Sequence, residues 1–200
     1  MTSEVSICNM ALGNIGVSQT IANLDEPSKE AKACKRYYEQ SVNEVLRKFP
    51  WPFATRYVTL ALVEEAPNNQ WDYSYRHPSN CEMVRRVIPS NIGVSDNYRS
   101  PFVLASDNVG KLIWSNEPLA LAEITYRMTD PTTFDSIFVK ALSWLLGSKI
   151  SPSLSGNRAK EIIDRAMGMY QVSINEAGNA AFNEQEVDKR PDTEFLRARE

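Results

Sequence analysis

Apolar residues recur at helical spacing in two blocks at the start of the chain and two near its end, and between them the pattern turns to alternation. Val5, Cys8, Ala11, Leu12 and Ile15 follow Thr2 and Ser3, either of which can cap, and Gly16 offers a stop, so a short first helix is predicted. Pro27 and Ser28 open a second, in which Ala31, Cys34, Tyr38, Val42, Val45 and Phe49 recur every three or four positions and charges fill the rest. Its run of roughly 22 residues would make a rod about 33 Å long. Pro50 and Pro52 disfavour the α conformation at Phe49 and Trp51, so this helix must end there.

From Phe53 the stretch "FATRYVTLAL" sets Phe53, Thr55, Tyr57 and Thr59 on one face and Ala54, Arg56, Val58 and Leu60 on the other, which predicts a strand. "WDYSY", "EMVRRVI", "FVLAS", "KLIWS" and "LALAEITYRM" continue the theme, with Asp107 to Gly110 as a hairpin turn between two of them. After "TDPTT", with Thr132 or Thr133 as cap, Phe134, Ile137, Phe138, Ala141, Leu142, Leu145 and Ile150 predict a third helix, apolar on so many sides that it must be central or covered. "SPSLSGN" reads as a loop, and a fourth helix is expected from about Arg158 to Ala177.

These elements predict an α+β, mainly α fold: a helical bundle of residues 1–50 and 131–178, an inserted antiparallel β region at 51–130, and an extended C-terminal tail at 179–200. The tail is polar and mixed in charge with isolated Phe182, Val187, Phe195 and Leu196, too few to form a core of its own. It reads as a loose end or as an arm that orders on a partner.

Composition narrows the functions. At 200 residues, 42% hydrophobic and 24% charged, the chain is of globular type and long enough for one sizeable core. A formal charge of −3 leaves no electrostatic footprint for gripping nucleic acid. Cys8, Cys34 and Cys81 lie far apart with no Cys-x-x-Cys pair, against a disulfide framework or a zinc site and consistent with a reducing cytoplasm. No apolar run reaches the ~20 residues of a membrane span, and the start does not read as a signal peptide.

Catalytic signals are sparse, and no cofactor or metal is expected. The single histidine, His77, lies among turn formers in "YRHPSN", and one histidine cannot make a multi-histidine metal site. No Walker loop or Gly-x-Ser-x-Gly elbow occurs, and "GNIG" lacks the preceding strand that a dinucleotide motif needs. Glu64 with Glu65, and Asp25 with Glu26, are the paired carboxylates that acid/base work would require, although neighbours on a strand point apart. Trp71, Tyr73 and Tyr75 could form a stacking platform or a packed sheet face, and Arg85, Arg86 and Arg99 are candidate DNA contacts.

Taken in order, "ICNMALGNIG", "IANLDEPSKEAKACKRYYEQSVNEVLRKFPWPFATR", "YRHPSNC", "TYRMTDPTTFDSIFVKALSWLLGSKI" and "LSGN" resemble the head-to-tail adaptor proteins of short-tailed bacteriophages, called tail tubular protein A or gatekeeper. The resemblance spans roughly residues 5 to 180. It implies that Asp25, Tyr37, Pro50, Trp51, Phe53, Cys81, Phe134 and Leu142 are architectural, and that Pro50, Trp51 and Phe53 plug the junction between helices and β region. It further implies a non-enzymatic virion protein at the head–tail junction, assembled from the host cytoplasm into a ring, typically of twelve copies, between the portal protein and the tail nozzle. Double-stranded DNA would pass through its lumen without specific binding, as an acidic wall favours. Phe182, Val187, Phe195 and Leu196 would then belong to an arm that meets the portal or a neighbour. The alternative from another class is a tail-associated cell-wall or polysaccharide hydrolase, for which Glu64 and Glu65 are the candidates.

Overall fold

A computed structural model describes residues 2–89 and 99–184. Four helices, α1 (Glu4–Asn14), α2 (Lys29–Lys48), α3 (Ser136–Leu154) and α4 (Ala159–Glu184), flank seven strands: β1 (Thr55–Thr59), β2 (Ala61–Asn68), β3 (Trp71–Arg76), β4 (Cys81–Ile88), β5 (Phe102–Ser106), β6 (Lys111–Ser115) and β7 (Leu121–Tyr126).

Local chemistry sets the helix ends. Ser3 caps α1 through a reciprocal pair with Ser6, its Oγ accepting from the Ser6 N–H at 3.1 Å and its own N–H donating to Ser6 Oγ at 2.9 Å. Ser28 caps α2 on the Ala31 N–H, and Phe49, extended ahead of Pro50, ends it. The cap of α3 is Asp135, whose Oδ1 accepts from the Ile137 N–H at 2.6 Å; the expected Thr132 and Thr133 lie instead in a short 3-10 turn capped by Asp130. The "SPSLSGN" loop is half helix: α3 runs through Pro152 to Leu154, with the Ser155 N–H closing on the Ser151 carbonyl at 2.8 Å. A proline one turn from the end removes little of the hydrogen-bond ladder.

α3 packs against α1, α2 and α4, which accounts for its apolar circumference. Ile7, Leu12, Val45, Leu46, Trp51, Phe138, Leu142, Leu146, Tyr170 and Ile174 form one core with it.

The strands correct the expected fold class. They build two antiparallel sheets, an inner one in the order β1-β7-β4 and an outer one in the order β2-β3-β6-β5, so the protein is α+β with two full sheets, not a mainly helical bundle carrying a small β insert. Two features hid this. "FATRYVTLAL" is not one strand: it breaks at Leu60, whose N–H donates to the Ala120 carbonyl at 2.9 Å, and the chain crosses there from the inner sheet to the outer. The next residues, 61–68, then form an entire outer edge strand, exposed along nearly its whole length and mixing apolar Leu62 and Val63 with Glu64 and Glu65, so it carries no alternating burial pattern. Between the sheets lies a second core of Leu60, Tyr75, Val84, Val87, Ile113, Ala120, Ala122 and Ile124. The expected tail also begins later than position 179, because α4 continues to Glu184; Val187, Phe195 and Leu196 lie outside the described residues, and Phe182 falls within the last turns of α4.

Candidate functional site

The proline-aromatic corner sits where the helices meet the inner sheet. After Pro50 the chain makes a 3-10 turn at Pro52–Ala54 that drops Trp51 into the helical core, 2% exposed. Its ring meets Phe49 edge-on at 5.1 Å and Phe138 at 5.0 Å, and its Nε1–H donates to the Val45 carbonyl at 2.8 Å. Phe53 packs on Phe138 at 5.1 Å and Phe134 at 5.8 Å. Every face of the indole is thus occupied by protein.

Strand β4 supplies the other half of this junction. Its ladder with β7 is irregular twice: between Cys81 and Met83, and between Val84 and Arg86, so Glu82 and Arg85 are extra residues. The second bulge lets Val84 and Val87 both face the inter-sheet core while Arg85 turns toward the helices. There the Arg85 guanidinium donates to the carbonyls of Leu46 and Phe49 at 2.9 and 2.8 Å and to Thr125 Oγ1 at 2.7 Å. Arg47 donates to the Glu82 carbonyl, and Arg127 pairs with the Glu82 carboxylate. Arg86 pairs with Glu123. Two of the three candidate DNA contacts are therefore engaged within the fold, and Arg99 is exposed on the approach to β5.

Glu64 and Glu65 are exposed on β2, opposite Ser74 and Tyr73. Successive strand positions face opposite sides, so the two cannot flank one bond as a glycosidase requires. Asp25 pairs with Lys35 at 2.5 Å, and Glu26 accepts from Ser28 Oγ at 2.6 Å and from the Ala22 N–H at 3.0 Å; these contacts hold both carboxyls below their ordinary range and shape the turn before α2. Tyr75 is buried, its hydroxyl donating to the Glu117 carbonyl, and Tyr73 packs beside it at 6.2 Å, so this aromatic row belongs to the sandwich. Cys8 and Cys34 are buried, with the adjacent Cys34 thiol and then burial raising the Cys8 thiol, and partial burial pushes Cys81 up to about 11. No cluster of three or more metal-ligating side chains occurs among the described residues.

One further grouping joins residues that are far apart in the sequence. Beside the edge strands β1 and β2, the open end of the two sheets leaves a cleft of about 540 Å3 that brings together Arg56, Arg76, His77, Ser79 and Tyr126. Arg76 is tied to Asp107 by two bonds of 2.9 and 3.0 Å, whereas the Arg56 guanidinium lies 3.7 Å over the Tyr126 ring. His77 donates from Nδ1 to the Pro78 carbonyl at 3.1 Å, and partial burial, reinforced by Lys111, lowers its pKa. The sequence held one signal of this cleft, an arginine placed on the same strand face as Val58 and Leu60.

No protein-family model matches the chain, and the search of curated proteins returned no significant match.

Proposed function

We propose that the protein is a structural virion component, a ring-forming adaptor that joins a portal to a tail nozzle and extends the channel through which DNA passes. The observation that carries this reading is the outer sheet. Its two edges, β2 and β5, are each paired on one side only among the described residues, and both expose apolar side chains: Leu62 at 50% and Val63 at 45% on one, Val103 at 44% and Leu104 at 56% on the other. A lone monomer gains nothing from two apolar, half-paired edges, which invite association. A head-to-tail ring needs two different faces on each protomer, and two opposite edges of one sheet satisfy that need. The placement of Glu64 and Glu65 on opposite strand faces supports a structural role over a hydrolytic one.

Light scattering coupled to size exclusion tests the proposal, with the chain alone and then mixed with assembled portal rings. The expected result is a species near 22.6 kDa alone that joins the portal in multiple copies. A chain that ignores the portal overturns the reading.

A further inference from the structure

The cleft at the open end of the sandwich has the chemistry of an anion site. Its lining contains no carboxylate, and Arg76 is already neutralised by Asp107. Arg56 is the cation left over: no carboxylate pairs with it among the described residues, and stacking on Tyr126 fixes the guanidinium plane while leaving its N–H groups free to donate. The Tyr126 hydroxyl accepts from Asn80 Nδ2 at 3.3 Å, so its own proton can be given to a ligand. At His77 the bond from Nδ1 to the Pro78 carbonyl makes Nε2 the nitrogen that gains a proton when the ring charges. Val58 and Ile124 give the cleft an apolar floor, which strengthens any charge pairing above it.

We propose that this cleft binds an oxyanion, a phosphate or carboxylate group, between Arg56 and the imidazole of His77, with the hydroxyls of Tyr126 and Ser79 completing its shell. A planar guanidinium matches two oxygens of either group, and charge-assisted bonds of this kind are the strong ones. The site lies within one protomer and stands or falls independently of ring assembly. The charged groups around His77 are Arg56, the Arg76–Asp107 pair and Lys111; burial first and Lys111 second disfavour the charged ring, and an arriving anion offsets both by pairing with the imidazolium.

Because His77 is the sole histidine, its imidazole resonance is an unambiguous reporter. The intact chain is titrated with inorganic phosphate and, separately, with sodium acetate, at constant ionic strength set by chloride. The expected result is a saturable shift of the His77 resonance with an upward move of its titration; phosphate as the effective anion assigns a phosphate group, and acetate a carboxylate. Arg56→Gln is expected to weaken the effect at least about tenfold and Tyr126→Phe to weaken it less, with Arg56→Lys keeping part of it. Spectral dispersion of each variant verifies folding, and Arg56, being exposed, is replaceable without opening a core. A shift that fails to saturate with either anion, or that persists unchanged in Arg56→Gln and Tyr126→Phe, overturns the proposal.

Discussion

Arg85, the extra residue of a bulge in β4, donates to the carbonyl of Phe49, the residue that ends α2, at 2.8 Å. The same side chain holds the Leu46 carbonyl and Thr125 Oγ1, so one guanidinium satisfies the end of a helix and ties it to the inner sheet. Replacing it leaves carbonyls at the junction without a donor. Arg85→Met is expected to cost about 2–4 kcal/mol by urea denaturation, and Arg85→Lys to recover only part, because an ammonium cannot reproduce the fork. A loss under about 0.5 kcal/mol would show that water replaces these bonds freely.

Trp51 fills the corner beside that junction. Trp51→Ala should cost about 3–5 kcal/mol, since the indole is enclosed by Phe49, Phe53 and Phe138. Trp51→Phe keeps the ring stacking but frees the Val45 carbonyl, and should cost less than the alanine variant. Equal losses for both would place the energy in the hydrogen bond instead of the packing.

Two helical glycines should respond oppositely to alanine. A Cβ on Gly147 of α3 would stand 3.1 Å from Ile15 Cγ2 and 3.3 Å from the Ala11 carbonyl oxygen, so Gly147 is where α1 and α3 approach. Gly147→Ala is expected to lose about 1–3 kcal/mol, outweighing a propensity gain of about 1 kcal/mol. On α4, Gly168 meets nothing within 4 Å, and Gly168→Ala should gain about 0.5–1 kcal/mol. Thermal melts of the two variants should therefore move in opposite directions.

Stability should fall at both ends of the pH range for separate reasons. The Arg76 guanidinium, helped by the Val109 and Gly110 N–H groups, holds Asp107 well below its ordinary 3.8. A depressed carboxyl contributes stability that is present above about 3.8 and lost as pH falls toward its folded value, and Asp107→Asn should remove that acid-side dependence. Burial raises Tyr170 from 10.0 to about 12, with a hydroxyl that has no hydrogen-bond partner among the described residues. A raised tyrosine contributes stability that is complete below 10.0 and lost as pH climbs through about 12. Tyr170→Phe should flatten the alkaline loss and raise neutral stability by up to about 1 kcal/mol. Phenolate absorbance followed alongside circular dichroism checks this: Tyr170 ionising before the fold is lost would refute its burial.

Local rules wrote much of the fold into the chain. Helical spacing located all four helices, because each must bury one stripe, and two prolines after Phe49 forced the end of α2 whatever surrounds it. Alternation exposed six of the strands for the same reason. The seventh, β2, has neither face buried, so its pattern holds no periodic signal, and without it the two-sheet sandwich reads as a modest insert. Thr132, Thr133 and Asp135 are all capable of capping α3, and only the 3-10 turn before the helix selects Asp135. What tertiary structure alone decided is how distant residues converge. The bulges that turn Arg85 to the carbonyls of α2 depend on the register between β4 and β7, and the meeting of Arg56, His77 and Tyr126 depends on a chain crossing at Leu60. Sequence determines which stripe each segment must hide; which stripes meet, and which charges are left facing a cleft, is set when the layers pack against one another.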